Sequence, residues 1–407
     1  MENQICTDYL SNIYCSSTTY FKLKVTYRAR KLKVNEYQKW DAFVAGQRLG
    51  NVHQTSKWGD FQRLKEEAKQ VDNGWDFWIF AVFKEKIRRG DSEKAQMEAE
   101  TLIGGALVMR RKMGYGKNWH YIAKGPIFAD DLSGNSINDA FLALMESIDE
   151  NARSDSAVFL RVESDFVKKG PEDCGVRLEL NWKEFRKAHA HYQPENTVMV
   201  DLAGSEEQIL AKMKPKGRYN IKVAQKKGVV VSKFDAESEK LEWAVGQYAQ
   251  ILTETTTRDG FAAHGKDYYL NMIGGLGPEQ CQLYLAEYEE EVIAGLIVTF
   301  YRDLAIYYFG ASSNKHRNVM APYLLQWEAM KEARSRGVRW YDFLGVAPEI
   351  APGNGDEGGY DSKHEWAGVT EFKLKFGGAR VDFLPAMEKV YKPFWYWAMV
   401  LRKKLKG

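Results

Sequence analysis

The string IGGALV (103–108) recurs in altered form as IAGLIV (293–298), 190 residues further along the chain. The same order of segments surrounds each copy: three apolar runs typical of β-strands, a longer helical stretch, and one more strand-like run. In the first half these segments lie at 77–83, 103–109, 119–123, 137–152 and 158–162, and in the second half at 283–288, 293–301, 304–309, 320–336 and 338–343. A fold unit that occurs twice is therefore predicted.

The order strand, strand, strand, helix, strand is the core of the acetyltransferase-type (GNAT) fold, in which helices cover a mixed sheet. We therefore predict an α+β protein with two tandem GNAT-like domains and a cleft between them; the alternative is two unrelated α+β domains. The length of 407 residues also favours two domains. We place them at 46–190 and 191–378, between an N-terminal extension or edge segment (1–45) and a C-terminal segment (379–407) expected to pack on the first domain.

The composition is that of an ordinary globular protein with little net charge. Lysine and arginine number 58 against 55 acidic residues, so any site for a polyanion must be local. The four cysteines lack metal-type spacing, which favours reduced thiols. The N-terminus does not resemble a signal peptide, and the apolar run 394–401 is far too short to span a bilayer. We expect a cytoplasmic monomer that needs no metal and no cofactor.

One segment is strongly basic. No acidic residue lies between Glu207 and Asp235, whereas eight lysines and arginines do. Arg218, Lys222 and Lys226 recur every four residues, so a helix would place them on one face, where they suit phosphate groups. A solvated helix face is the alternative, and charge alone does not decide between the two.

The basic segment MKPKGRYNIKVAQKKGVVV (213–231) resembles the signature segment of the Fem-type (FemABX) peptidyltransferases. That family moves an amino acid from an aminoacyl-tRNA onto a peptidoglycan precursor. The resemblance implies that Arg218 holds a phosphate of the precursor, with Lys216 and Lys222 as weaker candidates. The string HQTSKWGDF (53–61) is similar to an early family segment followed by a precursor-binding lysine; Gln62 stands there instead, and Arg63 beside it is the substitute candidate.

Three further strings carry the resemblance. WHYIAKGPIFADD (119–131) implies substrate contacts by Tyr121 and Lys124, and makes Asp130 a candidate acceptor of the amine proton.

In IYYFGASSNKHRNVMAPYLLQWEAM (306–330), Tyr307 and Phe309 match aromatic residues that line the family's substrate cavity. The same string has no glycine at 316–321, where an acetyltransferase needs a glycine-rich turn to approach the CoA pyrophosphate. GVTEFKLKFGG (368–378) resembles the closing motif, whose Phe-Lys pair, here Phe372 and Lys373, sits at the catalytic centre. A surface lysine on a strand is the alternative for Lys373.

The resemblance implies two partners, aminoacyl-tRNA and a precursor that is either UDP-MurNAc-pentapeptide or lipid II. The chain is most similar to the compact FemX kind, because 231–283 contains no long heptad run. The aromatic and basic stretch 390–406 would also suit peripheral contact with the inner membrane surface. Two alternatives stay open: a non-catalytic tRNA- or RNA-binding protein on degenerate GNAT domains, and an acyltransferase acting on a polysaccharide or a protein N-terminus.

Overall fold

The structure is a computed structural model, and it describes residues 22–67, 76–89, 96–260, 262–350 and 359–405. Its strands are β1 (Lys22–Lys31), β2 (Asp76–Arg89), β3 (Gln96–Gly114), β4 (Lys117–Ala123), β5 (Ile127–Phe128), β6 (Ala157–Glu163), β7 (Val167–Lys169), β8 (Arg186–Lys187), β9 (Asn196–Asp201), β10 (Val230–Phe234), β11 (Cys281–Tyr288), β12 (Glu291–Tyr301), β13 (Leu304–Ser312), β14 (Trp340–Asp342), β15 (Ala379–Phe383) and β16 (Met387–Val390).

The α-helices alternate with these strands along the chain. They are α1 (Tyr37–Gly46), α2 (Ser56–Glu67), α3 (Gly134–Ser154), α4 (Glu206–Lys212), α5 (Pro215–Lys226), α6 (Leu241–Asp259), α7 (Lys266–Leu276), α8 (Ala321–Ser335), α9 (Ala367–Leu374) and α10 (Pro393–Lys404). No helix of the described segments is long and apolar enough to cross a membrane.

The strands form two mixed sheets of the same design. The first has the order β1-β2-β3-β4-β6-β16-β8, with β5 paired to β3, and the second has the order β10-β11-β12-β13-β14-β9-β15-β7. In each sheet one neighbouring pair is parallel, β4 with β6 and β13 with β14, and a helix, α3 or α8, makes the crossover. The predicted mixed sheets, strand order and crossover helices are therefore present twice.

The repeat extends to an irregularity in the backbone. The pairing of β2 with β3 skips Ile103, and the pairing of β11 with β12 skips Ile293. These two isoleucines begin the IGGALV and IAGLIV strings. A β-bulge inserts an unpaired residue and increases the local twist of a strand, so the two halves share both topology and a local distortion.

Each sheet has its own apolar core, and the first core continues into the second half. Trp40, Phe80 and Phe141 are buried in the first core, which also contains Tyr248 of α6 and Ile273 of α7. The second core lies between the second sheet and helices α5 and α8. The two halves are thus joined by packed side chains as well as by the chain itself.

The ends of the predicted domains are interwoven. Strand β7 from the first half and β15 from the C-terminal segment both belong to the second sheet, whereas β16 returns to the first. In the N-terminal segment, residues 1–21 lie outside the described residues, and Lys22–Lys31 forms an edge strand. The boundaries at 45, 190 and 378 stay predictions.

The basic segment folds as two consecutive helices. Ser205 and Gln208 form a capping box at the start of α4. Helix α5 begins at Pro215, which is well tolerated in the first turn of a helix because its missing N–H would have no partner there. After α5 the chain turns at Gly228, whose φ of 82° suits glycine.

Candidate active site

Lys373 is a buried lysine on helix α9, not a surface residue on a strand. Its side chain is 7% exposed. The Nζ atom donates hydrogen bonds to the main-chain carbonyls of Leu344 at 2.9 Å and Gly345 at 2.7 Å, in the turn after β14. It also lies 5.7 Å from the centre of the Tyr307 ring. Neutral acceptors thus surround this amine.

The surroundings of Lys373 place its charge change close to neutral pH. Burial lowers the pKa of Lys373 to about 7, and the nearby Asp342 carboxylate opposes this effect in part. A cation transferred out of water is destabilised unless an anion is in contact with it, and here the direct partners are carbonyl oxygens. Perturbed lysines of this kind are typical of functional sites.

Aromatic rings enclose the site beside Lys373. Phe372 packs against Tyr323 at 5.0 Å and Phe376 at 5.3 Å between ring centres. Tyr307 contacts Phe343 at 6.2 Å, and burial raises the pKa of the Tyr307 phenol to about 12. The phenol therefore stays neutral at physiological pH. The structure thus brings together Lys373, Phe372 and Tyr307 of the predicted site.

The two aromatic residues predicted to line one cavity belong to different cores. The pairing of β12 with β13 shifts between Ile297 and Val298, whose partners are Phe309 and Tyr307. Tyr307 packs against the second core, whereas Phe309 packs against the first, 5.3 Å from the ring of Tyr269. A bulge at this point separates side chains that regular alternation along a strand would place on one face.

The basic helix α5 begins against the end of α9. The amide of Lys214 donates to the carbonyl of Lys375 at 3.1 Å. A Cβ at Gly217 would meet the Lys375 carbonyl oxygen at 2.3 Å, so only glycine permits this approach. The next residue, Arg218, is half-buried and donates from Nη1 to the carbonyl of Met213. The contact places Arg218 one helix away from Lys373.

The other predicted cations of α5 face solvent. Lys216 and Lys222 are exposed, and the Nζ of Lys216 lies 5.0 Å from the centre of the Tyr219 ring. The predicted cationic face of the helix is therefore accessible to a polyanion.

Lys124 is the buried lysine of the first half. It is 3% exposed and forms an ion pair with Asp165 at 2.6 Å, and its Nζ lies 4.1 Å from the centre of the Phe383 ring. Burial raises the pKa of Asp165, Lys124 lowers it in part, and Asp342 adds repulsion. Asp165 and Asp342 therefore link Lys124 electrostatically to Lys373.

Sequence reasoning did not identify these two carboxylates. Asp342 ends a short buried strand and Asp165 follows another, and an acid at a strand end was the available signal.

Tyr121 belongs to a buried polar cluster. Its hydroxyl donates to Glu163 at 2.7 Å, and Glu163 also accepts from the amides of Tyr192 and Gln193. Burial raises the pKa values of both Tyr121 and Glu163. Tyr121 is thus held in place by hydrogen bonds and stays neutral.

His53 joins the two halves beside this cluster. Its Nε2 lies 3.1 Å from the hydroxyl of Tyr308, and burial lowers the pKa of His53 to about 3. The imidazole is therefore neutral over the physiological range.

Two predicted residues lie apart from these groups. Asp130 is exposed, and both carboxylate oxygens accept from the amide of Arg48 at 3.0 Å. Arg63 is exposed and pairs with Asp60 at 3.0 Å. Among the contacts of the described residues, none joins either side chain to Lys373, so their substrate roles stay predictions.

The turn before α8 has no glycine where an acetyltransferase would hold CoA. A short 3₁₀ helix, Arg317–Val319, fills it, flanked by His316 and Met320 with φ of 53° and 59°. Side chains therefore occupy the place where close main-chain approach to a pyrophosphate is needed. In the described part of the chain, no group of three or more histidines, cysteines and acids could hold a metal ion.

Comparisons with known proteins agree with the tandem GNAT-like fold. A family model described as an acetyltransferase (GNAT) domain matches residues 211–362. The lipid II:glycine glycyltransferase of Staphylococcus epidermidis is 21% identical over 376 residues, covering 76% of this chain and 83% of that protein. The corresponding enzyme of Staphylococcus aureus is 22% identical over 381 residues, with the same coverage of 76% and 83%. The crystal structure of FemX superposes with a TM-score of 0.69 and 19% identity, covering 91% of this chain and 99% of FemX.

The chain is similar to Fem-type proteins in sequence and in fold. The predicted resemblance and the tandem GNAT-like α+β fold are both confirmed. The prediction of an acyl-transferring enzyme is confirmed as well, since the Fem-type relatives are transferases and the second half matches an acetyltransferase domain. The GNAT match begins at 211 and ends at 362, so it includes the basic helix but not the Phe372-Lys373 pair of the Fem-type motif.

Proposed function

We propose that this protein transfers an amino acid from an aminoacyl-tRNA to the stem peptide of a peptidoglycan precursor, UDP-MurNAc-pentapeptide or lipid II, and so forms an interpeptide bridge or branch. The relatives support the acceptor, because they are named for transfer of glycine to lipid II. The observation that carries the proposal is the environment of Lys373. Its Nζ is buried, donates to two main-chain carbonyls and lies near the Tyr307 ring, and the end of its helix contacts the start of the basic helix α5.

The reaction needs little covalent chemistry from the protein, because the ester of an aminoacyl-tRNA is already activated. The amine nitrogen of the acceptor attacks the ester carbonyl carbon, the new C–N bond forms, and the C–O bond to the ribose breaks. The proton released by the amine ends on the departing ribose oxygen. Positioning of the two substrates and stabilisation of the oxyanion then supply most of the acceleration.

Lys373 is the group that stabilises the negative charge that develops on the oxyanion or on the leaving oxygen. As an ammonium it has a third hydrogen beyond the two donated to Leu344 and Gly345, and that hydrogen is available to the oxyanion or the leaving oxygen. The candidate acceptors of the amine proton are the tRNA itself and the exposed Asp130, whose carboxylate accepts a hydrogen bond from the Arg48 amide. Phe372 and Tyr307 keep water away from the ammonium.

The basic helix α5 binds phosphates in this proposal. Arg218 holds the diphosphate of the precursor, and the exposed Lys216 and Lys222 extend the cationic surface toward the tRNA. In the first half, Lys124 and Tyr121 position the stem peptide indirectly, because their own polar atoms are paired with Asp165 and Glu163. The reaction takes place on the cytoplasmic side, where charged tRNA is present.

The direct test is product formation. The purified protein is incubated with a mixture of charged tRNAs and either UDP-MurNAc-pentapeptide or lipid II, and the precursor is weighed by mass spectrometry. A gain of one or more amino acid residues is expected, and it should depend on the tRNA. Acetyl-CoA in place of the tRNA is the matched control; acetylated precursor would instead support an ordinary acetyltransferase, and tRNA binding without product would support a non-catalytic protein.

We also propose that helix α10 touches the inner membrane surface. One face of this helix packs on the protein through Tyr396 and Val400, which are buried. The other face, continued by the C-cap residue Leu405, carries exposed apolar side chains spaced three or four residues apart: Phe394, Trp397, Leu401 and Leu405. Packing and membrane contact are therefore compatible, because they use opposite faces of one helix.

Charge around this face favours an anionic bilayer. Arg402 and Lys404 are exposed on either side of the apolar row, and 391–407 contains no acidic residue. At the tip between β3 and β4, Tyr115 is 84% exposed and its ring lies 5.9 Å from that of Trp395. Apolar side chains flanked by cations, with aromatic residues beside them, are typical of a helix that lies in the membrane interface.

Sedimentation with lipid vesicles tests this contact. The protein should bind phosphatidylcholine vesicles that contain phosphatidylglycerol, bind pure phosphatidylcholine vesicles weakly, and lose affinity as salt rises. Replacing Phe394, Leu401 and Leu405 by serine should lower the partition coefficient at least about tenfold. Trp243→Ser, at another exposed aromatic residue, is the control. Equal binding by the triple variant and the wild type would refute the contact.

A further inference from the structure

Asp342 immediately precedes the turn whose carbonyls, those of Leu344 and Gly345, accept hydrogen bonds from Lys373. It ends strand β14 and is 2% exposed. Its Oδ1 accepts from the hydroxyl of Thr197 on the neighbouring strand β9 and from the amide of Leu344 at 2.7 Å. The carboxylate thus connects the end of the strand to the first residue of the turn whose carbonyls face Lys373.

The turn at Leu344 has an unfavourable backbone conformation, which the hydrogen bond to Asp342 stabilises. Leu344 has a φ of 55°, in the left-handed region that residues with a Cβ rarely adopt. This conformation allows the carbonyls of Leu344 and Gly345 to reach the same Nζ. A Cβ at Gly345 would lie 2.9 Å from the Trp366 ring, so a larger residue there would have to displace that ring. The pair of carbonyls therefore depends on a turn that local propensity does not favour.

A second contact fixes the turn to the helix that bears the lysine. The amide of Ala347 donates to Oγ1 of Thr370, one turn before Lys373 on α9. The turn and α9 are thus joined at both Lys373 and Thr370, and Asp342 holds the opposite end of the turn.

We propose that Asp342 is the positioning residue of Lys373. It fixes the Leu344–Gly345 carbonyls through the Leu344 amide, and its buried negative charge stabilises the ammonium without touching it. Direct contact would produce a tight ion pair in which the ammonium is neutralised. Asp342, at the start of the turn, favours the protonated form of Lys373 without contacting it. One N–H of the ammonium then stays free to bind a transient oxyanion. This inference rests on the proposed function, in which Lys373 is the catalytic cation.

The charged and titratable groups around Lys373 come from several elements. Asp342 lies on β14 and Tyr307 on β13. From the first half, Asp165 repels Asp342 and is itself paired with Lys124. Further groups in the described part of the chain are Tyr323 on α8, Glu371 and Lys375 on α9, and Arg380 on β15, which donates to the carbonyl of Ala347 in the turn. Asp342 is the group that raises the pKa of Lys373.

The test is the variant Asp342→Asn, which keeps an oxygen for the Leu344 amide and removes the charge. Wild-type kcat should fall as pH rises through the pKa of Lys373, which is about 7. Without the carboxylate this pKa decreases, so the alkaline limb of the kcat profile should move roughly one unit toward lower pH. Asp201→Asn, on strand β9 beside β14, is the matched control and should leave the limb in place.

Asp342→Glu separates charge from position. It keeps the charge but displaces the acceptor from the Leu344 amide, so kcat should fall while the alkaline limb stays near its wild-type pH. This variant also keeps the test decisive if Asp342→Asn does not fold. A shifted limb in Asp342→Glu, an unshifted limb in Asp342→Asn, or an equal shift in Asp201→Asn would each overturn the proposal.

A measurement without turnover separates this inference from the proposed function. NMR of the lysine side chains, with Lys373 assigned by its absence in Lys373→Met, gives the titration midpoint directly. A midpoint near 7 in the wild type that falls in Asp342→Asn supports the positioning role even if no precursor is modified. An unchanged midpoint contradicts it even if the enzyme is active.

Discussion

Each half of the molecule buries one lysine of the predicted site, and the two lysines are held in opposite ways. Lys124 in the first half contacts the carboxylate of Asp165 at 2.6 Å. Lys373 in the second half contacts the carbonyls of Leu344 and Gly345, and the Asp342 carboxylate raises its pKa without forming an ion pair with it among the contacts of the described residues. The two halves therefore share a topology but give their buried lysines different electrostatic environments.

This difference in partners distinguishes Lys124, whose charge has a structural role, from Lys373, whose charge is available for the reaction. A buried ion pair satisfies both partners, and removal of one partner leaves an isolated charge in the protein interior. A lysine bound by neutral acceptors keeps an ammonium whose charge is not cancelled, and its pKa moves toward neutral pH. We infer that the first half fixes geometry and the second half performs the chemistry.

Removing the second lysine should have the largest effect on activity. Lys373→Met is expected to lower kcat by about 10² to 10³, as for loss of one oxyanion donor, with little change in precursor binding. Steady-state kinetics with saturating tRNA measures this. Lys375→Met, two residues further and paired with Glu371 at the surface, should keep near-normal turnover. Full turnover by Lys373→Met would assign the chemistry elsewhere.

Removing the first lysine should chiefly reduce stability. Lys124→Met leaves Asp165 buried without its cation, and we expect a loss of about 3 kcal/mol in the free energy of unfolding. Urea denaturation followed by circular dichroism measures the loss. The double variant Lys124→Met with Asp165→Asn should recover most of it, because the isolated charge is gone. If Lys124→Met is as stable as the wild type, the pair is not a structural charge.

The pH dependence of stability should depend on Lys373. The folded protein lowers the pKa of Lys373 to about 7, whereas the unfolded chain has an ordinary lysine. Between these values the unfolded state binds more protons, so the free energy of unfolding should rise with pH, by up to about 1.4 kcal/mol per unit. Urea titrations from neutral pH to the ordinary lysine pKa test this, and Lys373→Met should lose this contribution. An identical slope in that variant would contradict the assignment.

Arg218 should show the smallest effect, confined to binding. Its phosphate contact exists in the ground state and the transition state alike, so Arg218→Ala should raise KM for the precursor about tenfold and leave kcat unchanged. Lys226→Ala, near the other end of the same helix, is the control. A fall in kcat with KM unchanged would place Arg218 in the chemical step.

The repeat of apolar runs was sufficient to predict the fold. Strand and helix periods survive in each half because burial of a sheet face or a helix stripe requires them. The strings around Arg218 and Lys373 also pointed to a Fem-type relative. What the runs did not reveal is the exchange of strands, since β7, β15 and β16 are short and their pairing depends on distant segments.

The amino-acid sequence by itself determined the duplicated fold, the basic helix and the identity of the candidate lysines, because these follow from periodicity, charge and local motifs. Only the tertiary structure decided what each lysine does. It buried Lys373 under two carbonyls, paired Lys124 with Asp165, and placed Asp342 behind the turn at Leu344. The physical reason is that desolvation and long-range electrostatics depend on which segments pack together, and residue order does not specify them locally.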